Sequence, residues 1–163
     1  MEGSEEFYTA RGYSQLLGKK ALTPSMEDYL EMIYRLSHKQ GYTRVVDIAN
    51  ALNVQPPSVS RMIRKLRTRR LLTCERYGII KMSPEGEEIG RYLINRHNAL
   101  YEFFWLIGAR ENTHRDVEGI EHNVSPPTME AIIRFVQFIK GKEGWIEEYM
   151  SYLNMLPEDE IRS

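Results

Sequence analysis

Two short stretches of this 163-residue chain hold a concentrated set of oxygen and nitrogen donors. Asp28 and Glu31 stand three residues apart, so on a helix both project from one side. In the string DVEGIEH, Glu118, Glu121 and His122 stand at i, i+3 and i+4, again one helical face. A further imidazole, His97, shares a stripe with Leu93, Leu100 and Phe104 and so faces inward. Carboxylates with one or two imidazoles suit a hard or borderline cation such as Mn²⁺ or Fe²⁺ better than Cu(I) or structural zinc, which prefer thiolates. Zn²⁺, Co²⁺ or Cd²⁺ can occupy the same donors in vitro, because raw affinity does not follow biological selectivity. Spacing also allows a plainer arrangement. Acids at i, i+3 usually face solvent, and a histidine on an apolar stripe is usually a satisfied core residue. Periodicity does not say whether the clusters meet.

The elements that must position these groups can be read from apolar spacing. Thr23-Pro24-Ser25 offers a hydroxyl cap for a helix carrying Met26, Tyr29, Leu30, Ile33, Tyr34 and Leu36, ending near His38 to Gly41. A short helix follows from about Arg44 to Leu52, with Val45, Ile48, Ala49 and Leu52 inward. Asn53-Val54-Gln55-Pro56 makes a turn, and a third helix runs from about Pro57 to Arg69 with Val59, Met62, Ile63 and Leu66 inward. Two short helices joined by a tight turn form a helix-turn-helix. Leu71 to Arg76 and Ile79 to Met82 read as two strands with Tyr77-Gly78 at the turn, the wing. Ser83-Pro84-Glu85-Gly86-Glu87 starts a long helix reaching Leu106 or Ile107. Helices from Thr113 to Asn123, from Ser125-Pro126-Pro127 through Ile139, and from Trp145 to Leu156 complete the chain. The expected fold is mainly α: an N-terminal extension (1–22), a winged helix-turn-helix domain (23–83), an all-helical second domain (84–156) and an acidic tail (157–163).

Charge is segregated although the total is only −1. Gln55 to Met82 holds eight Lys/Arg against a single acid, Glu75, a local charge of +7. Glu143 to Ser163 holds six acids against Arg162, a local charge of −5. A basic helix face alone is usually only a solvated surface. Here the cations sit on the second helix of a helix-turn-helix and continue into the wing, which points to DNA. Arg61, Arg64, Lys65 and Arg76 are candidate phosphate or base-edge contacts, and Ser58 and Ser60 in the first turn of the recognition helix join them. The base sequence they would read is not encoded in these side chains.

Cys74 is the single cysteine, so no intrachain disulfide and no thiolate zinc cluster can form within one chain. No apolar run approaches the roughly 20 residues of a membrane span, and the acidic N-terminus (Glu2, Glu5, Glu6) lacks a secretory n-region, which points to the cytoplasm. No nucleophile motif, Gly-rich phosphate loop or HExxH string marks an enzyme.

The strings TPSMEDYLEMIY, VVDIANALNVQPPSVSRMIRKL, RHNALYEFF and DVEGIEHNVS resemble, in residue type and order, the diphtheria-toxin-repressor-like family, specifically its manganese transport regulators, over residues 23 to 140. That resemblance implies a winged-helix domain followed by a helical dimerisation domain. It also implies a homodimer presenting two recognition helices to a near-palindromic double-stranded operator. It further implies a two-metal site per protomer, its ligands matching Asp28, Glu31, His97, Glu118, Glu121 and His122. Iron-responsive relatives carry methionine and cysteine at the positions of Asp28 and Glu118, so carboxylates at both favour manganese. The lack of a β-rich third domain points to the shorter manganese branch. Asn123 stands where some relatives have a second histidine, and the N-terminal extension is longer than in the shortest relatives. The implied function is a Mn²⁺-dependent DNA-binding regulator repressing manganese-uptake genes when the ion is abundant. The alternatives are an iron-dependent repressor of the same family or a winged-helix regulator that senses no metal.

Overall fold

A computed structural model describes residues 22–155. Residues 1–21 of the expected extension, Leu156 and the acidic tail lie outside the described residues. The chain divides at Asn95/Arg96 into two compact units.

The first unit begins with helix α1 (Pro24–Ser37), which buries Met26, Leu30 and Ile33. Its expected hydroxyl cap is absent. Thr23 makes no side-chain cap bond, and its carbonyl instead accepts the Met26 and Glu27 amides at 2.8 and 3.0 Å, with Pro24 pre-set for the first turn. Gly41, at φ +76°, closes the helix as expected by donating its amide to the Ser37 carbonyl at 2.7 Å. Strand β1 (Thr43–Arg44), too short to leave a period in the sequence, leads into α2 (Val45–Leu52). Asn53 takes a left-handed conformation (φ 52°) and turns the chain into α3 (Pro56–Thr68). Strand β2 (Leu72–Cys74), a 3₁₀ turn (Arg76–Gly78) and β3 (Ile79–Met82) form the wing.

The three strands make an antiparallel sheet in the order β1-β3-β2. Thr43 pairs with Ile80, and Leu72, Thr73 and Cys74 pair with Met82, Lys81 and Ile80. Helix α4 (Pro84–Leu106) is capped by Ser83, whose Oγ accepts the Gly86 amide at 3.0 Å. Its first half packs Ile89, Tyr92 and Leu93 into one core with Leu30, Ile33, Ile48, Val59, Ile63, Leu66, Leu71 and Ile80.

The second unit holds the rest of α4 with α5 (Thr113–Ile120), α6 (Pro126–Lys140) and α7 (Trp145–Met155). Leu100, Val117 and Met129 form one buried cluster, and Leu106, Val136 and Ile139 another, with Ile132 packed against both. Helix α5 ends at Ile120, three residues earlier than expected. Glu121 keeps helical geometry, but the next amides tighten, Asn123 N–H reaching the Ile120 carbonyl at 2.8 Å. Among the described residues no helix is long and apolar enough to cross a membrane.

Candidate metal centre and DNA-binding surface

Helix α3 buries Val59, Ile63 and Leu66, at i, i+4 and i+7, and this fixes which face it turns outward. Ser58, Arg61, Arg64 and Lys65 are exposed on the other side. Ser60 is half-buried, less available than the spacing suggested. At the wing, Lys81 pairs with Glu75 at 2.8 Å, so its charge is partly compensated, while Arg76 is exposed beyond the pair. Tyr77 was expected only as a turn residue. It is 92 % exposed, held at the wing tip in a left-handed conformation (φ 63°) before Gly78. Non-glycine residues rarely adopt that conformation. Its place at the turn was the only signal of this in the sequence.

In the same unit, α1 carries Asp28 exposed and Glu31 almost buried. Arg35, one turn on, donates Nη2 and Nε to Glu31 Oε1 at 2.6 and 3.0 Å. In this i, i+4 pair Arg35 remains 40 % exposed, so the bond orients the carboxylate more than it stabilises the fold.

In the second unit three sequence-predicted ligands come together. His97 on α4 places Nδ1 2.9 Å from Glu121 Oε2, and His122 Nε2 stands 3.7 Å from Glu121 Oε1. Glu121 is 4 % exposed. Burial pushes its carboxyl pKa up, but the His97 hydrogen bond and the positive charge of Arg96, joined by His97 and His122 whenever these are protonated, outweigh burial, holding it below its ordinary value. An ionised Glu121 accepts, so His97 Nδ1–H donates, leaving Nε2 of a neutral ring as a lone pair. A buried carboxylate flanked by two imidazoles fits a divalent cation in donor type. Glu118, on the last turn of α5, is exposed.

Sequence reasoning passed over two neighbours. Arg96, buried, brings Nη2 3.2 Å from His122 Nδ1. His114 stacks near His97, with ring centroids 6.3 Å apart, and lies against Tyr101 at 4.5 Å. His114 could have been suspected, because it stands one turn before Glu118.

Stability should report the Glu121 charge. A carboxyl whose folded pKa is depressed contributes stability above its unfolded value, about 4.3, and loses that contribution as pH falls through the folded value. Thermal unfolding in chelator should therefore show an acid-side decline that Glu121→Gln flattens. An unchanged profile in Glu121→Gln would refute the assignment.

A winged helix with an outward basic recognition helix, followed in the chain by a helical unit gathering buried carboxylate and imidazole, defines a class: metal-responsive DNA-binding regulators. Comparison narrows it. Residues 21–79 match the family described as "Iron dependent repressor, N-terminal DNA binding domain", and residues 83–143 match "Iron dependent repressor, metal binding and dimerisation domain". The HTH-type transcriptional regulator MntR of Geobacillus kaustophilus (strain HTA426) is 46% identical over 126 residues, covering 77% of this chain and 89% of that one. MntR of Shouchella clausii (strain KSM-K16) is 43% identical over 142 residues, 85% of this chain and 99% of that one. Among solved structures, the manganese regulator SloR superposes with TM-score 0.61 at 28% identity, over 72% of this chain and 55% of that chain. T. acidophilum IdeR, at 24% identity and TM-score 0.61 over 68% of this chain and 53% of that one, shares the fold. The chain thus spans about half the length of these two solved structures. The chain belongs to the iron-dependent repressor family, and the resemblance to its manganese transport regulators drawn from the motifs holds. It is a metal-dependent DNA-binding transcriptional regulator, not an enzyme.

Proposed function

We propose that this regulator is a cytoplasmic, Mn²⁺-dependent repressor of manganese-uptake genes. It acts as a homodimer on a near-palindromic double-stranded operator, with domains spanning 23–83 and 84–156. The observation that carries the metal reading is the buried Glu121 carboxylate with His97 and His122 around it. Asp28, Glu31, His97, Glu118, Glu121 and His122 would hold two Mn²⁺ per protomer. Four carboxylates among six donors supply the hard ligand field that Mn²⁺ favours.

When bound, the metal supplies positive charge that links carboxylates of the two domains. Asp28 and Glu31 come from the DNA-binding domain, and His97, Glu118, Glu121 and His122 from the helical one. These side chains can serve common ions only over a restricted range of domain positions. Restricting that range favours a spacing of recognition helices that fits the operator, in part through lost domain motion.

The test is retention of a random-sequence duplex library by the purified protein at fixed moderate salt, with Mn²⁺ and with chelator. Enrichment of a palindrome with Mn²⁺ alone is expected. Equal enrichment in chelator would discard the metal switch, and no enrichment in either would discard the operator function.

Arg61, Arg64, Lys65 and Arg76, with Ser58 and Ser60, would contact the DNA. Arg64→Ala should weaken operator and non-operator DNA alike if Arg64 contacts phosphate. It should also flatten the slope of log affinity against log salt by about 1. An unchanged salt slope would remove Arg64 from the phosphate contacts.

A further inference from the structure

We infer that Arg96 is an internal cation that stands in for metal charge when the centre is empty, and so sets the ion concentration at which the centre fills. The inference rests on the metal centre proposed above. Arg96 is 5 % exposed, an unusual place for a guanidinium, and buried charge persists only where it is paired. Its Nη2 lies 3.2 Å from His122 Nδ1. A guanidinium can only donate, so that Nδ1 must accept and its lone pair is engaged before any metal arrives.

The same neighbourhood holds the buried Glu121 carboxylate, which feels the charge of Arg96 and has the imidazoles of His97 and His122 beside it. Their charge comes and goes with protonation, whereas arginine is charged at every working pH. The negative charge at Glu121 is therefore partly compensated before any metal arrives. An arriving divalent ion must share the group with a fixed positive charge and draw His122 away from it. Both effects weaken binding, while in the metal-free fold Arg96 adds a permanent positive charge to the partners of the buried carboxylate. A sensor that must ignore low ion levels is served by both. Arg35, bonded to Glu31 on α1, is a more exposed parallel.

The test uses the full-length protein and two variants. Arg96→Met keeps the apolar stem and removes the charge, and Arg96→Lys keeps the charge. Mn²⁺ uptake is followed by electron paramagnetic resonance of the free ion, and thermal unfolding is measured in chelator and in saturating Mn²⁺. One like charge at 4–6 Å shifts an ionic equilibrium by about one to three powers of ten, so Arg96→Met should bind Mn²⁺ at least about 10-fold tighter. Its unfolding midpoint should fall in chelator and rise further than wild type on adding Mn²⁺, while Arg96→Lys stays close to wild type in both measurements. An Arg96→Met that unfolds in chelator and is recovered by Mn²⁺ gives the same answer.

Equal or weaker Mn²⁺ binding by Arg96→Met, with wild type binding normally, overturns the inference and makes Arg96 an orienting partner of His122. A variant that stays unfolded in Mn²⁺ overturns it as well. A wild type that takes up no Mn²⁺ sinks the metal centre itself, and this inference with it.

Discussion

His97→Ala is expected to lower Mn²⁺ affinity by about 100-fold or more, because even partners outside the coordination sphere cost 10–100-fold when removed. It should erase the difference in operator binding between Mn²⁺ and chelator. The His97 side chain is 12 % exposed and its Nδ1 holds Glu121 Oε2 at 2.9 Å. Truncation therefore removes one proposed donor and releases a second. Metal–DNA coupling in such systems is of order 1–3 kcal/mol, about 5- to 150-fold in affinity. Wild-type protein should show an increment of that size in fluorescence anisotropy with operator DNA, and His97→Ala none.

The salt-dependent background should survive in both proteins, since Arg61, Arg64 and Lys65 are exposed in a unit that does not contain His97. Asp116→Ala, which removes an exposed carboxylate of α5 outside the ligand set, should behave as wild type and controls for lost negative charge. Circular dichroism in chelator should match across the three proteins. If His97→Ala retained wild-type operator affinity in saturating Mn²⁺, His97 would be a core histidine and the ligand set would fall with it.

The helices were legible because their apolar residues recur at helical spacing, and Ile48, Val59, Ile63, Leu66, Leu93 and Leu100 are buried as that spacing demands. Strand β1 was not, because two residues carry no period. The missing hydroxyl cap at Thr23 and the early end of α5 are choices between competing hydrogen bonds of similar strength, which residue type does not decide.

The candidate ligands were legible as residue types on helical faces. What surrounds them was not. Arg96 reaches His122 across 26 positions of sequence, and His97 reaches Glu121 across 24. Such contacts depend on how helices pack, which no local pattern records. The wing shows the same limit: its turn was visible at Tyr77-Gly78, but the exposure of Tyr77 follows from backbone geometry at the tip.

Gly86→Ala should destabilise the protein by about 2 kcal/mol, within the 1–3 kcal/mol typical of overpacking, and lower its unfolding midpoint by about 4–8 °C. Helix propensity argues the other way. Gly86 lies in the first turn of α4, and alanine is favoured over glycine within a helix by roughly 0.5–1 kcal/mol. The steric effect is larger. A Cβ on Gly86 would stand 2.1 Å from the Leu71 carbonyl oxygen and 3.1 Å from its carbon. That carbonyl cannot swing aside cheaply, because it accepts the Ser83 amide at 3.0 Å, the Leu71 amide is bonded to Leu66, and the Leu71 side chain is fully buried. Relief would have to move the start of α4 off the wing and disturb the Ser83 cap. Gly119, on α5, supplies the opposite case: a Cβ there meets nothing within 4 Å among the described residues, so Gly119→Ala should gain about 0.5–1 kcal/mol from propensity alone. Thermal unfolding of both variants in chelator separates the two effects. If both raised the midpoint, the close approach of α4 to Leu71 would not exist in solution, and the junction of wing and long helix would be looser than the 2.1 Å geometry requires.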